Sequence, residues 1–447
     1  MTLSSCLRGC SRPPSSIRRG VLYAFSLLLL LGTWTPRGAS AQDAPLFQLS
    51  ETLRLSEEYT DNFFRAPSDK KSNFRSGVAP GLSLKINGAK TKGEIGTSFN
   101  FSRDSVDDGN NYFYSGSASL TWTPNPRLTL SLSDFLSRTD APGRSLTPST
   151  TPGTPEDLRI RENRATFLSN SGTARADYLI GNVQTSATYG NVIFNDGNPA
   201  GEDTLTQTWG ANAGTSLFQN TPVGVGYSYS ISDFSRSLDT TTHTFTASIA
   251  RILGPFTTAG LSGSYALING AGRTSDVNLY DVGVTATHGL PDLSVSGRVG
   301  YSRSNAESGS EEDSITFGIT ASRTFARARA NVSYDQGLVQ SFLQGQNFGI
   351  VKSRRVNASL SYPWTPGINT TLSSFYSHNE FTGQVATTGT ASAGRTTENV
   401  GTNLDLTIQL LRWLQMALGY SWDHSNSNRP GEEYDANTGR ISLTGTF

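Results

Sequence analysis

The sequence predicts an all-β fold, a transmembrane antiparallel up-and-down β-barrel of about twenty strands, and two patterns carry this prediction. Apolar and polar residues alternate through segment after segment, as in strands with one apolar face and one wet face. Short connections such as Asn87-Gly88 and Gly181-Asn182 also alternate with longer polar loops. Short periplasmic turns and long extracellular loops are typical of such barrels. Because strand boundaries taken from sequence shift by a few residues, eighteen strands would also fit.

The beginning of the chain predicts a secretory signal peptide. Arginines precede a short apolar run, and small residues follow it at positions 39–41. The apolar run is shorter than the roughly 20 residues that a membrane-spanning helix needs. Both cysteines, Cys6 and Cys10, lie in this segment, so the chain after cleavage has no thiol chemistry. We therefore predict a Sec-type signal peptide over residues 1–41 and a single outer-membrane β-barrel domain over residues 42–447.

The composition favours a barrel over a soluble protein. Only 35% of the residues are apolar, and glycine contributes 45 residues. A soluble chain of this length would bury more Leu, Ile and Val. A barrel with one face in lipid and one face in water needs apolar residues at every second strand position only. No segment after residue 41 is apolar enough to be a transmembrane helix.

The alternation defines the elements in chain order. In the first segment Leu53, Leu55 and Tyr59 share one face, and in the second Val78 and Leu82 do the same. The predicted strands cover residues 49–59, 74–86, 95–101, 112–122, 128–136, 174–180, 183–189, 205–217, 223–231, 245–249, 259–267, 280–286, 293–301, 315–321, 328–334, 356–362, 368–376, 400–410, 414–422 and 439–447. A sheet in hydrocarbon must pair every backbone group, so these strands are expected to close. A secreted β-sandwich or solenoid is the alternative, and we disfavour it because the opposite face carries no second apolar set that could form a core.

The last predicted strand, residues 439–447, separates its two faces clearly. Ile441, Leu443, Gly445 and Phe447 share the apolar face, and the residues between them are polar. The segment resembles the C-terminal strand by which bacterial outer-membrane barrels are recognised by their insertion machinery. The resemblance implies that Ile441, Leu443 and Phe447 form an assembly signal and that the barrel-insertion machinery is a partner. It also implies a place in the bacterial outer membrane, in contact with lipid and lipopolysaccharide.

The face opposite the apolar one is predicted to line a hydrated lumen. It carries small hydroxyls with interspersed charges, which fits a wet wall better than a packed core. The lumen-lining candidates are Arg175, Asp281, Arg298, Arg327, Arg329, Arg355 and Asp405. Guanidinium groups on such a wall can bind carboxylate, sulfate or phosphate groups of a passing solute. They can instead form ion pairs with lumen carboxylates such as Asp281, and we favour this interpretation.

No pattern indicates catalysis or metal binding, so we predict no enzyme activity and no cofactor. The four histidines lie on four different hairpins without metal-ligand spacing; they are His243, His288, His378 and His424. The chain after the signal peptide has 31 basic and 36 acidic residues, because the signal carries five arginines and no acid. The resulting net charge of −5 indicates no nucleic-acid partner.

The long loops leave two questions open. Acidic clusters in three of them could bind divalent cations that bridge lipopolysaccharide, although solvated loop tips are the interpretation we prefer. These clusters are Glu202-Asp203, Glu311-Glu312-Asp313 and Glu432-Glu433 with Asp435. The loops over residues 138–163 and 383–397 could fold into the lumen or stay outside it.

Two short features resemble a known family. Residues 55–63 contain the segment Tyr59-Thr60-Asp61-Asn62, and two turns, at Trp122 and Trp364, share a Trp-Thr-Pro pattern. They resemble the second β-barrel porin family, outer-membrane barrels associated with exopolysaccharide secretion and exosortase systems. The resemblance implies an outer-membrane pore for surface polysaccharide export, beside a periplasmic polysaccharide-export protein, and carries over no site residue. Two other functions stay open: a general diffusion porin for small solutes, and a non-conducting structural or adhesion barrel that acts through its loops.

Overall fold

The computed structural model describes residues 46–140, 156–157, 166–197, 201–270, 276–307, 309–343, 346–382 and 394–447. The predicted signal peptide, residues 1–41, lies outside these ranges. Leu46–Phe447 forms one compact unit. Among the described residues, no helix is long and apolar enough to cross a membrane.

The unit is built from β-strands that overlap the predicted segments, and many of them extend several residues beyond the predicted bounds. They are β1 (Phe47–Thr60), β2 (Asn73–Asn87), β3 (Thr91–Asp104), β4 (Asn110–Asn125), β5 (Leu128–Thr139), β6 (Glu156–Asp157), β7 (Phe167–Ile180), β8 (Val183–Asp196), β9 (Thr204–Phe218), β10 (Thr221–Phe234), β11 (Thr240–Gly254), β12 (Thr257–Gly270), β13 (Val277–Gly289), β14 (Leu293–Ala306), β15 (Glu311–Thr324), β16 (Arg329–Leu343), β17 (Gln346–Thr365), β18 (Ile368–Phe381), β19 (Thr396–Leu411), β20 (Leu414–Ser427) and β21 (Tyr434–Thr446).

Twenty of these strands form a closed wall. Each pairs antiparallel with the strands before and after it, and β5 pairs directly with β7 because β6 is not part of the wall. The first and last strands then pair with each other, from Thr52 opposite Thr446 to Thr60 opposite Thr438. The predicted up-and-down barrel of about twenty strands is therefore confirmed, and closure leaves no unpaired sheet edge.

One predicted loop is wrong. The sequence places a long polar loop between strands at 328–334 and 356–362, but β16 and β17 stay paired through this region, from Asp335 opposite Arg355 to Leu343 opposite Gln346. Pairing continues because polar residues in a two-stranded extension satisfy their backbone groups as well as apolar ones do. The result is a hairpin that extends past the strands beside it.

The two faces of the wall follow the predicted alternation. Large apolar side chains point outward and are exposed in the absence of lipid; Val282 and Val284 on β13, for example, are 58% and 55% exposed. Outward aromatic rings stack from strand to strand, with Tyr189, Trp209 and Tyr229 at centroid distances of 5.6 Å and 5.9 Å. This band matches the lipid-facing surface that a transmembrane barrel requires.

A polar cluster interrupts the outward band on β5, β7 and β8. Asp134 alternates with outward leucines, and both of its carboxylate oxygens accept hydrogen bonds from Nδ2 of Asn170 at 3.1 Å. Asn191 donates in turn to Oδ1 of Asn170 at 3.3 Å. Gly172 leaves the space for this network, because a Cβ there would lie 2.4 Å from Oδ1 of Asn191. The mutual hydrogen bonds reduce the cost of placing these groups on the lipid face.

The terminal strand places its residues on the predicted faces. Ile441, Leu443 and Phe447 point outward and are exposed, whereas Ser442 points inward. The Phe447 ring stacks on Trp413 at a centroid distance of 5.7 Å. The backbones of Phe447 and Glu51 exchange two hydrogen bonds, at 2.8 Å and 3.1 Å. The end of the chain is thus held at the seam where the barrel closes, and its role as an assembly signal stays a prediction.

The extracellular end of the same seam is held by the loop that follows β1. The backbone N–H of Asn437 donates to Oδ1 of Asp61 at 2.8 Å, and its Nδ2 donates to Oδ2 at 2.7 Å. The neighbouring Asn62, fully buried, donates from Nδ2 to the carbonyl oxygen of Asp435 at 2.8 Å. Asp61 and Asn62 belong to the short Tyr-x-Asp-Asn segment, so this segment ties the first strand to the last one.

The lipid-facing assignment of the terminal strand predicts a defect in Leu443→Asp. A charge near the middle of the bilayer costs on the order of 2–4 kcal/mol for basic residues and less for acidic ones. Leu443→Asp and deletion of Phe447 should each reduce the heat-modifiable folded form seen by gel electrophoresis of outer membranes. The matched control is Thr444→Asp, which points inward opposite Arg54. Normal levels of folded protein for both changes would contradict the assignment.

The hydrogen bonds between Asp61 and Asn437, which we call the seam clasp, predict that Asp61→Ala destabilises the closed barrel. Two hydrogen bonds to a carboxylate are lost, each worth roughly 1.5–3 kcal/mol. We expect the folded band to disappear at a lower temperature, and urea unfolding from lipid vesicles to begin at a lower concentration. Ser68→Ala, an exposed position of the same loop, is the control. Equal unfolding curves for the two variants would show that the clasp contributes nothing.

Candidate functional site: the barrel lumen

The upper lumen is crossed by the end of the β16–β17 hairpin, residues 337–343 and 346–350, which we call the hairpin tip. β15 pairs with β16 only between Phe317 and Thr324, so the hairpin tip leaves the wall above that level. Gln340, 1% exposed, accepts a hydrogen bond from the Thr242 hydroxyl at 3.4 Å. Thr242 lies on the inner face of β11, five wall strands away from β16. The hairpin tip therefore folds inward instead of standing above the rim.

An apolar cluster fixes the hairpin tip in this position. Leu338 and Ile350 pack with inward residues of three wall strands, and Ile350 is fully buried. The other members are Ala266 and Ile268 of β12, Val277 and Leu279 of β13, and Ala306 of β14. Burial of a Leu or Ile side chain contributes about 1.5–3 kcal/mol, so the cluster holds the tip against the wall. The hairpin tip, held by this cluster, thus narrows the lumen at its extracellular end.

The strand β6 is also found at the hairpin tip. Its two residues pair in parallel with Ser341 and Phe342 of β16. In the order of the wall, β5 and β7 are the fifth and sixth strands and β16 is the fifteenth, so residues 156–157 reach the opposite side of the barrel. Residues 141–155 and 158–163 of the predicted loop, and residues 383–393 of the other long loop, lie outside the described residues.

A second inward group lies beneath the loop after β1. The Arg75 guanidinium forms a bidentate pair with Asp104 at 2.8 Å and a second one with Asp140 at 2.6–2.9 Å. The rings of Phe63 and Phe113 lie 5.5 Å and 5.3 Å from the guanidinium carbon. Bidentate arginine–carboxylate pairs are the strongest of the charge-assisted hydrogen bonds. This group stiffens the extracellular rim at β2 to β5.

The inner wall formed by β9, β10, β11 and β12 carries no charged side chain at its inward positions. These positions hold serine, threonine, asparagine, glycine and a few apolar residues, and neighbouring hydroxyls bond to each other, as Thr206 and Ser232 do at 3.0 Å. A cavity of about 550 Å³ lies along this wall, and its lining includes Ser186, Asn212, Ser248, Ser262 and Ser264. The wall offers many hydrogen-bond donors and acceptors without a fixed charge.

Ion pairs border this uncharged wall on both sides. On β7, Arg175 bonds Asp177 through its guanidinium at 2.7–2.9 Å. On the other side, Arg298 of β14 pairs with Asp281 of β13, whose second oxygen accepts a hydrogen bond from Thr316 at 2.9 Å. Of the predicted lumen residues, Arg175, Asp281 and Arg298 line the same cavity. The guanidinium groups of Arg175 and Arg298 are bound by carboxylates, as the ion-pair interpretation predicts.

The remaining predicted lumen residues are spread around the barrel. Arg355 lies directly opposite Asp335 on the neighbouring strand, and Asp405 pairs with Arg440 at 3.4 Å. Arg329 starts β16 at the periplasmic rim. Arg327 does not project from a strand, because it belongs to the exposed turn between β15 and β16. The alternation with alanine suggested a strand there, but pairing resumes only at Arg329.

Each acidic cluster of the long loops has a carboxylate that is bound within the protein. Glu202 accepts hydrogen bonds from the backbone N–H of Arg236 at 2.5 Å and of Ser237 at 3.1 Å. Glu311 pairs with Arg303, and Glu432 with Arg395 at 2.9 Å. Within the described ranges, no group of three or more His, Cys, Asp or Glu side chains could hold a metal ion.

Sequence reasoning missed the hairpin tip and the seam clasp. Both are contacts between residues far apart in the chain: Gln340 with Thr242, and Asp61 with Asn437. For the hairpin tip, the available signal in the sequence was the adjacent apolar pair Ile350-Val351. Two consecutive buried residues do not fit a strand with one wet face.

The apolar cluster predicts that Leu338→Ala combined with Ile350→Ala loosens the hairpin tip. Each such core truncation costs about 2–5 kcal/mol of local packing. The double variant should show a higher or noisier single-channel conductance in planar lipid bilayers than the wild-type barrel. Leu360→Ala, an outward and exposed position on the same β17, is the control. Identical conductance in all three proteins would show that the hairpin tip does not restrict the lumen.

Comparisons of the sequence identify no relative. No family model matches the chain. No curated protein matches it either.

Solved structures of outer-membrane barrels share its fold. The ferric enterobactin receptor PfeA of Pseudomonas aeruginosa, in complex with enterobactin, matches with a TM-score of 0.50 at 9% identity, over 92% of this chain and 82% of the receptor. The siderophore receptor PirA of Acinetobacter baumannii has a TM-score of 0.48 at 9% identity, over 90% and 80%. The outer membrane protein OpdK of P. aeruginosa has a TM-score of 0.40 at 12% identity, over 90% and 99%.

Such low identity shows the fold and no more. The shared fold, together with the closed wall and the outward apolar band, confirms the predicted location in the bacterial outer membrane. The chain is a twenty-stranded antiparallel β-barrel of the bacterial outer membrane.

Proposed function

We propose that this barrel is the outer-membrane pore of a surface-polysaccharide export system. The observation that carries the proposal is the uncharged inner wall of β9 to β12, which presents hydroxyl and amide groups along the lumen. A neutral polysaccharide offers the same kinds of donors and acceptors along its whole length. It can exchange hydrogen bonds with such a wall step by step and meets no fixed charge there.

The bordering ion pairs support transport of a neutral solute. Arg175 and Arg298 are neutralised by Asp177 and Asp281, so neither presents a free cation to an anionic substrate. The more exposed pair, Arg175 with Asp177, contributes little to stability, and both pairs keep the net field in the lumen low. The resemblance to exopolysaccharide-associated barrels agrees with this reading of the wall.

The periplasmic rim suggests how an export partner would dock. The short turns between strands carry Lys90, Arg127, Arg327 and Arg412, against one acid, Asp292, and all of these side chains are exposed. A rim of this sign favours an acidic surface on a periplasmic polysaccharide-export protein. Complementary charge would mainly raise the rate of association and set the orientation.

A general diffusion porin is the second candidate, and the hairpin tip favours it. The buried Leu338 and Ile350 keep the extracellular end of the lumen narrowed, and a narrowed pore suits small solutes. The two candidates differ in what the barrel does alone. A diffusion porin lets small neutral sugars cross a liposome membrane without a partner, whereas an export pore conducts small ions alone but passes sugars only when its partner is present.

Deletion of the gene and measurement of surface polysaccharide test the export function directly. We expect surface polysaccharide to be lost in a clean deletion strain and restored by the full chain supplied in trans. A charge-reversed rim, with Arg127, Arg327 and Arg412 changed together to Glu, should restore less polysaccharide at equal barrel levels. Normal polysaccharide in the deletion strain would overturn the proposal. If the barrel then conducts small neutral sugars in liposome-swelling assays it is a diffusion porin, and a barrel that conducts nothing acts through its loops.

A further inference from the structure

Phe135 is an apolar side chain in a place where the barrel does not need one. It lies on β5 between Ser133 and Ser137, in the row of residues that points into the lumen. Its ring is 49% exposed. Most other exposed aromatic rings of the wall strands point outward to lipid or lie at the rims, so a phenyl ring in the wet lumen is unusual. Exposing it to water costs free energy that neither closure of the barrel nor lipid contact returns.

The ring borders a small hollow in the wall formed by β1 to β5. The hollow measures about 240 Å³, and hydroxyl side chains surround it: Thr52, Ser83, Ser98, Ser115 and Ser117. No charged residue lines it. The hydroxyls of Ser98 and Ser115 lie 2.9 Å apart and are hydrogen-bonded to each other. Because a hydroxyl has one donor and two acceptor positions, each can form a further hydrogen bond to a ligand.

Two glycines open the floor of this hollow. A Cβ at Gly81 would lie 2.6 Å from the Thr52 hydroxyl, and one at Gly96 would lie 3.2 Å from the Ser117 hydroxyl. Side chains at these two positions would therefore crowd the hydroxyls that surround the space. The glycines let a ligand approach the wall closely beside the Phe135 ring.

We propose that Phe135 and the hydroxyls around this hollow form a binding subsite for one neutral sugar ring of a passing glycan. A pyranose has an apolar face of C–H bonds that packs on an aromatic ring and a rim of hydroxyls that bonds to serine and threonine. The hollow provides both surfaces and no charge. In naming a sugar as the ligand the subsite rests on the proposed export function, and it lies on a different part of the wall from β9 to β12.

The subsite has the properties that transport requires. One aromatic face and a few neutral hydroxyls bind a single ring weakly, so a chain can step from this position to the next one. A charged site would hold the solute more tightly and slow its release. Phe135 lies within β5 and not in a loop, so the subsite is part of the wall that lines the lumen.

Block of single-channel current by a sugar probe tests the subsite. Wild-type barrel in planar bilayers is titrated with maltohexaose, cellohexaose and chitohexaose, and polyethylene glycol of similar mass serves as a probe of size alone. Phe135→Leu should raise the half-blocking concentration of at least one sugar about fivefold, because the aromatic face is lost while apolar volume is kept. Phe135→Tyr should retain the block. Neither change should alter block by polyethylene glycol.

Val192→Ala is the matched control, since Val192 also points inward and is 47% exposed, on β8 away from the hollow. Equal sugar block in the wild type and Phe135→Leu, or an equal loss in Val192→Ala, would overturn the subsite. Absence of block by all three sugars would overturn it as well. The result is separate from the deletion experiment: a deletion strain without polysaccharide and an unchanged Phe135→Leu barrel would leave the export function standing and remove the subsite.

Discussion

The structure depends on one constraint: inside a membrane, each backbone N–H and C=O must find a partner within the protein. The wall meets it strand by strand, and the pairing of β1 with β21 completes it. That last pairing joins residues almost four hundred positions apart. Forming it therefore costs more chain entropy than pairing two consecutive strands does. Contacts at both ends of the seam, Phe447 with Glu51 and Asp61 with Asn437, reinforce the ladder at the point where closure is most costly in entropy.

In the closed barrel, the outer face of the wall contacts lipid and the inner face contacts water. The outward face is largely committed to lipid, with the polar cluster at Asp134 as one exception, and leaves little freedom in its choice of residues. The inward face has to stay wet and is otherwise free to vary. This freedom is where the chain carries its specific features: an uncharged wall on β9 to β12, ion pairs beside it, and an exposed Phe135 on β5.

The inward-folded hairpin shows that a barrel can narrow its lumen with part of its own wall. β16 and β17 keep their hydrogen bonds to each other above the level where β15 is paired, and the hairpin gains apolar contacts by turning inward. Leu338 and Ile350 would face water if the hairpin stood upright. Burying them against β12, β13 and β14 therefore stabilises the fold and shapes the pore at the same time.

The sequence alone determined the approximate number of strands, the rim to which each turn belongs, and the outward faces of residues such as Leu443 and Phe447. These properties are local, because a period of two residues and a short turn are visible in any stretch of chain. Only the tertiary structure decided that Gln340 meets Thr242, that Asp281 pairs with Arg298, and that Arg327 lies in a turn. Alternation assigns a side chain to the lumen, but which groups meet there depends on register, closure and the path of the loops across the barrel.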